Sequence, residues 1–347
     1  MKYLVIFLAT TLSLAIGYLP LSVALSPSPI SAEYWVREMI VIKHNIVGHY
    51  KGKKKIVIAA GSNALFGIDT KQLGKELKIP VINFGLHRGL SLENILDEAA
   101  SVLEHGDVVV LPLEANYYCE DGPTDWQARN NIAWNREQWA SWPYLEKIKG
   151  ASLLYPTILY EVATAKLQAV FWPETIKERL IALDDRKILK RFALAKEPDT
   201  FAYSAFNLDS MGNMEMNDAA RYFGTPDRAE RADTKIDICP KSWQLLSSFK
   251  KDMNNKGVKI YFANTPYVYL DDLNIGEIEA TSKLFIAKLS EIAPVLDTKS
   301  ELVFDRKLFF DTDLHLNTQG RKLRTEMLAS SILHNSHLSD YINNNIK

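Results

Sequence analysis

The chain has 347 residues, 47% of them hydrophobic, which is enough to bury one large domain or one domain carrying an insertion. Its 41 basic and 42 acidic residues nearly cancel and no long basic stripe appears, so the electrostatic footprint of a nucleic-acid binder is missing. A disordered or fibrous chain is excluded by the same composition.

Residues 3–32 contain no charged side chain, and 3–19 are almost wholly apolar. A cationic Lys2, an apolar run and small residues at Ser22 and Ala24 fit a cleaved signal peptide, with Ala24 the last residue removed. The same run also fits an uncleaved anchor, since about 20 apolar residues span a bilayer. Either reading places the body of the protein outside the cytoplasm: anchored in the inner or cytoplasmic membrane and facing the periplasm or the cell exterior, or secreted. In that compartment Cys119 and Cys239 can pair, although two buried free thiols are an equal alternative.

A Pro- and Ser-rich tether follows, then a short helix over 35–47 with Gly48 as its stop. Strand-like apolar runs come at 55–60, 81–84, 107–113, 258–263 and 294–296, with helical patterns at 70–77 and 91–104 between the early ones. This alternation predicts an α/β protein with a doubly wound parallel sheet. From about Tyr117 to 240 the alternation stops, and a helical insertion or cap is expected there. The segments are therefore 1–32 as anchor and linker, 33–116 and 241–347 as the two parts of the core, and 117–240 as the cap. The cap holds an apolar segment, 151–173, that Pro156 interrupts and that reads as a packed helix or as one lying on a membrane surface. It also holds a polar stretch, 206–235, expected to be a mobile loop. Trp126, Trp134, Trp139, Trp142 and Trp172 lie there too, either packed together or free to stack on sugar rings. A helix at 241–255 and a last core helix at 318–333 complete the pattern.

In such a sheet, ligands sit beyond the carboxyl ends of the strands. Ser62 and Asn63 follow the first strand, Asn83 and Gly85 the second, and Glu114 and Asn116 the third. The run FFDTDLHLNTQG places His315 just before the final helix. Taken singly, a Ser-Asn pair after a strand reads as a helix cap or turn.

In this order the residues resemble the SGNH hydrolase superfamily, with GSN at 61–63, NFG at 83–85 and DTDLHLNTQG at 311–320 standing for its sequence blocks. Within it the chain is most similar to membrane-tethered members linked to polysaccharide O-acetylation and teichoic acid D-alanylation. The resemblance implies a three-layer, flavodoxin-like sheet and an O-acyl esterase or transferase, with acetyl as the expected acyl group, acting on a cell-envelope or exported polysaccharide. A non-catalytic scaffold that binds glycan or assists a membrane-bound acyltransferase is the alternative. Ser62 would be the nucleophile and His315, whose side chain type titrates near neutrality, its base. Asp313, two residues before the histidine, is the preferred orienting acid, and Asp311 the other. The oxyanion donors would be the N–H groups of Ser62 and Gly85, with Asn116 or Asn63 as the third. Glu114 stands nearer the usual place of that third donor but can only accept when ionised. His87, Arg88 and Glu114 are candidate substrate contacts, His87 and Arg88 reading also as a loop packed over the site. No His, Cys or carboxylate spacing suggests a metal, and no cofactor is expected. A three-glycine dinucleotide fingerprint is missing from GSNALFG, which argues against a nucleotide binder.

Overall fold

The apolar N-terminal run is helical over Lys2–Ala24 (α1), and α2 follows at Tyr34–Gly48. Next come β1 (Ile56–Ala60), α3 (Ser62–Gly67), α4 (Thr70–Leu77), β2 (Val81–Gly85), α5 (Leu92–Val102) and β3 (Val108–Leu111). Asp69 and Ser91 cap α4 and α5, their side chains accepting the N–H groups of Gln72 and Asn94. The intervening chain forms α6 (Asp125–Ala133), α7 (Arg136–Ser141), α8 (Tyr144–Leu153), α9 (Thr157–Phe171), α10 (Lys177–Ile181) and α11 (Asp185–Leu194). After it come α12 (Pro240–Lys256), β4 (Lys259–Phe262), β5 (Tyr267–Val268), α13 (Ile275–Ser290), β6 (Val303–Phe304), α14 (Thr318–His334) and α15 (Ser336–Asn345). This computed structural model describes residues 2–345 apart from 25–26, 121, 155–156, 196, 198, 201, 216–217 and 219–228. Pro156 and most of the polar stretch after 215 thus lie outside the described residues.

The protein is α/β, with a four-stranded parallel sheet of order β2-β1-β3-β4 flanked by helices. Every residue of β1, β2 and β3 is buried, as expected for strands covered on both faces. The expected fifth strand at 294–296 reduces to a single parallel bridge, Phe262 to Val295, held by Phe262 N–H to Pro294 O and Leu296 N–H to Phe262 O. Two residues each from β5 and β6 make a separate parallel pair.

The chain divides into two compact units. The sheet unit comprises Met39–Glu120 and Arg191–Lys347; the helical unit comprises Met1–Glu38 and Asp121–Lys190. The expected cap is therefore split, and 191–240 belongs with the sheet. The reason is hydrogen bonding without any apolar period. Asn83 N–H donates to Met211 O, the N–H and hydroxyl of Thr70 both donate to Asn213 Oδ1, and the fully buried Lys43 ammonium donates to Asn83 O and Gly212 O at 2.7 Å each. Burial pushes that lysine well below its usual pKa, against the pull of Asp209.

Cys119 and Cys239 form a disulfide within the sheet unit, joining the chain just after β3 to the N-cap of α12. The helical unit has its own core of Ile30, Ile132, Trp139, Trp142, Ile158 and Val162. Trp139 and Trp142 are core side chains with ring centroids 5.3 Å apart and not a sugar platform, and Trp134 is partly buried against the same cluster. Trp172, in contrast, is exposed.

Candidate active site

The sequence IVIAAGSN ends β1 and begins α3 with no intervening loop, which forces a sharp turn at Gly61. A Cβ there would lie 2.5 Å from Glu114 Oε1 and 2.8 Å from the Tyr117 hydroxyl, so only glycine fits. Ser62 is the first residue of α3 and is buried. Among the described residues its hydroxyl has no hydrogen-bond partner.

Glu114, three residues beyond β3, organises this turn. Its side chain is fully buried, Oε2 accepting the Gly61 N–H at 3.1 Å and Oε1 the Asn63 N–H at 3.0 Å. Burial raises its pKa, opposed by those two N–H groups and by the nearby Arg88. The two N–H groups flanking Ser62 are thus occupied, while the Ser62 N–H has no acceptor among the described residues. Glu114 was read from the sequence as a substrate contact; buried and doubly bonded, it is a brace for the serine turn.

His315 is buried in a tight loop that Phe310 N–H closes by donating to His315 O at 2.7 Å. That closure carries residue 311 alongside the histidine: Asp311 Oδ1 lies 2.8 Å from His315 Nδ1. The other carboxylate oxygen of Asp311 accepts the Tyr203 hydroxyl, which is itself 3.3 Å from His315 Nδ1. Burial pushes the Asp311 carboxyl up, but the hydrogen bond and charge of His315, with the Tyr203 hydroxyl, bring it below its ordinary value. Asp313, the preferred acid, is not on the histidine: its Oδ2 accepts the N–H of Glu230 at 2.8 Å. The loop, not sequence spacing, makes that choice.

Serine and histidine come from the two ends of the chain's core, and Phe66 brings their elements together. It lies one turn after Ser62 on α3, so the two share a helix face, and its ring stacks on the His315 imidazole with centroids 4.4 Å apart. Phe66 thus sets the imidazole against α3, the helix that Ser62 begins.

The expected oxyanion donors need correction. Gly85 gives its N–H to Asn83 Oδ1 at 2.9 Å, so it is committed inside the strand end. Its lack of a side chain serves packing, because a Cβ would collide with the Leu65 backbone N–H of α3. Asn63 gives its N–H to Glu114 and its side-chain amide to Pro112 O at 2.8 Å. In Asn116 it is the carbonyl end that is engaged: Arg88 Nε donates to its Oδ1 at 3.0 Å, which fixes the amide and makes its NH₂ the donor end. The Arg88 and His87 carbonyls in turn lie within reach of the Tyr117 hydroxyl, and His87 Nδ1 accepts the Gly89 N–H at 3.0 Å. The 87–89 loop is therefore tied down against the segment after β3.

Two residues escaped the sequence reading. Tyr203 and Glu230 precede the histidine loop by about a hundred residues, and no motif marks either. Glu230 Oε2 is sealed from solvent and has no hydrogen-bond partner among the described residues. Burial, with Asp313 and Glu114 nearby, pushes its carboxyl up to about 7 against the pull of Arg88 and Lys299. Arg88, Asp313 and Glu114 are thus all within electrostatic reach of Glu230. Among the described residues no group of three or more His, Cys, Asp or Glu is arranged to hold a metal ion.

Compared with known proteins, the chain matches no protein-family model and no curated protein.

Proposed function

We propose that the chain is an SGNH-type serine O-acyl esterase or transferase acting outside the cytoplasm on a cell-envelope or exported polysaccharide, with acetyl as the acyl group. The observation that carries this reading is the Asp311–His315 pair at 2.8 Å, stacked through Phe66 on the helix face that begins with Ser62. A parallel sheet with the serine beyond its first strand and the histidine before its last core helix supports the three-layer, doubly wound, flavodoxin-like form of that fold.

In this mechanism Ser62 Oγ attacks the acyl carbonyl while His315 Nε2 takes the hydroxyl proton. Asp311 accepts the Nδ1 proton in a hydrogen bond and stabilises the imidazolium. The Ser62 N–H and the Asn116 NH₂ donate to the developing oxyanion. Collapse expels the sugar oxygen, which receives the proton from His315, and leaves an acyl-enzyme. Water, or a second sugar hydroxyl, then attacks with His315 again as base. No cofactor enters. The apolar α1 run is read as the membrane tether of this domain, although among the described residues no helix is long and apolar enough to cross a membrane.

A second reading has its own support. With the N–H groups of Gly85 and Asn63 committed and a carboxylate behind the serine turn, the oxyanion site is poorer than expected. That favours a glycan-binding scaffold that assists a membrane-bound acyltransferase. A fluorophosphonate probe on the full chain in detergent separates the two. The enzyme reading predicts a Ser62 adduct that Ser62→Ala abolishes; absence of any Ser62 adduct favours the scaffold.

A further inference from the structure

Large exposed apolar side chains are concentrated in the helical unit. In α1 the six consecutive residues from Tyr3 to Leu8 are each 57–89% exposed. Six consecutive helical residues point in all directions, at 3.6 residues per turn, so no protein groove on one side could cover them. A helix that is apolar all round is matched by an apolar surround, which in a cell envelope means lipid.

The same pattern continues on α9. Ile158, Val162 and Ala165 face the core of the helical unit. On the opposite side Tyr160, Leu167 and Phe171, spaced i, i+7 and i+11, make a second apolar stripe with exposures of 75%, 53% and 64%. Val170 and Trp172, at 71% and 61%, extend it, and Tyr144 and Leu145 on α8 are equally open. Exposed apolar patches of this kind mark an interaction surface. The only acid of α9, Glu161, is neutralised by Arg129 at 2.8 Å, and the helix's only other charged side chain is Lys166. Aromatic tips over an apolar stripe with no unpaired negative charge match the bilayer interface, where Tyr and Trp concentrate. At about 1.5 Å per residue, the 15 residues of α9 make roughly 22 Å, too short to span. Within this unit α1 packs against α8.

We propose that the outer face of α8 and α9 beds on the lipid bilayer next to α1, so that the helical unit is a membrane-interface platform and not a sugar-binding cap. The inference rests on reading α1 as a lipid-embedded helix, and is independent of the chemistry at Ser62. It also accounts for residues 151–173, which are too charged to cross a membrane and too apolar on their outer side for water.

Since Cys119 and Cys239 are bonded, a single added cysteine is the one free thiol. Full-length protein carrying Tyr160→Cys, Phe171→Cys, Phe7→Cys on α1, or Leu284→Cys on α13 of the sheet unit is labelled with an environment-sensitive fluorophore. Each is reconstituted into phosphatidylcholine–phosphatidylglycerol vesicles and titrated with a lipid-borne quencher and with aqueous iodide. Labels at 160 and 171 are expected to lose most of their emission to the lipid quencher and to be shielded from iodide, as at position 7, while position 284 shows the reverse. Quenching at 7 with 160 and 171 open to iodide would overturn the platform and leave the tether standing. Shielding at 160 and 171 that is equal in vesicles and in lipid-free detergent, with no lipid quenching, would also overturn it and point to a second copy or another protein on this face. Lipid quenching at none of the three would overturn both the platform and the tether.

Discussion

Asp311 Oδ1 lies 2.8 Å from His315 Nδ1, four residues away in one closed loop, whereas Asp313 at the same loop's other side binds the Glu230 backbone. If His315 is a base, its orienting acid is therefore Asp311. Asp311→Asn leaves the packing nearly unchanged but alters the tautomer, so kcat for ester hydrolysis should fall by about 10³–10⁴-fold. Asp313→Asn should change kcat by less than about tenfold, because it retains an oxygen acceptor for the Glu230 N–H. Steady-state kinetics of the two variants, with circular dichroism to establish folding, checks the assignment.

Glu114 is predicted to brace the serine turn through both carboxylate oxygens. In Glu114→Gln one of them is replaced by an NH₂ that cannot accept, leaving a buried N–H of Gly61 or Asn63 without a partner. The expected cost is about 1–3 kcal/mol of stability, seen as a lower denaturation midpoint. If Glu114 instead contacted substrate only, stability would be unchanged and KM alone would rise.

The sealed Glu230 carboxyl gives a pH signature. Its folded pKa of about 7 lies above the ordinary carboxyl value, so between about pH 4.5 and 7 the folded state binds the extra proton. Stability from this group is full below that window and is lost as pH rises through it. Arg88, Lys299, Asp313 and Glu114 are the charges that face it. Glu230→Gln should therefore leave Tm nearly unchanged near pH 4.5 and raise it near pH 8, by the equivalent of about 3 kcal/mol. Equal Tm shifts at both pH values would show that the carboxylate is not the strained species.

The Cys119–Cys239 bond closes a loop of 120 residues that contains the helical segment 121–190. Reduction, or Cys119→Ala with Cys239→Ala, should destabilise the sheet unit by about 2–5 kcal/mol. Denaturant midpoints with and without reductant measure it directly.

The parts of the fold carried by apolar periodicity were legible in the sequence. Strands β1 to β4 and helices α4, α5, α12 and α14 fall within a few residues of their apolar patterns. The limits of the insertion were not, because 203–215 joins the sheet unit through the amides of Asn83 and Asn213 and the buried ammonium of Lys43, and none of these has a period. Ser62, His315 and the two aspartates could be nominated from their place after strands and before a helix. Which aspartate binds the histidine depends on a loop closed by the Phe310 N–H, and which N–H groups stay free for an oxyanion depends on where Glu114 and Asn83 turn their oxygens. Tyr203 and Glu230 reach the site only through the folded chain. The tryptophans illustrate the reverse case: composition made them look available, and packing removed Trp139 and Trp142 from the surface.

The central claim, that Ser62 is an acyl-accepting nucleophile served by His315, is tested most directly by hydrolysis of a chromogenic acetyl ester by the full chain in detergent. Wild type is compared with Ser62→Ala and His315→Ala variants of unchanged circular dichroism. The account predicts turnover by the wild type and a loss of about 10³-fold or more in kcat in each variant. Undiminished turnover by Ser62→Ala, or none by the wild type, would contradict it.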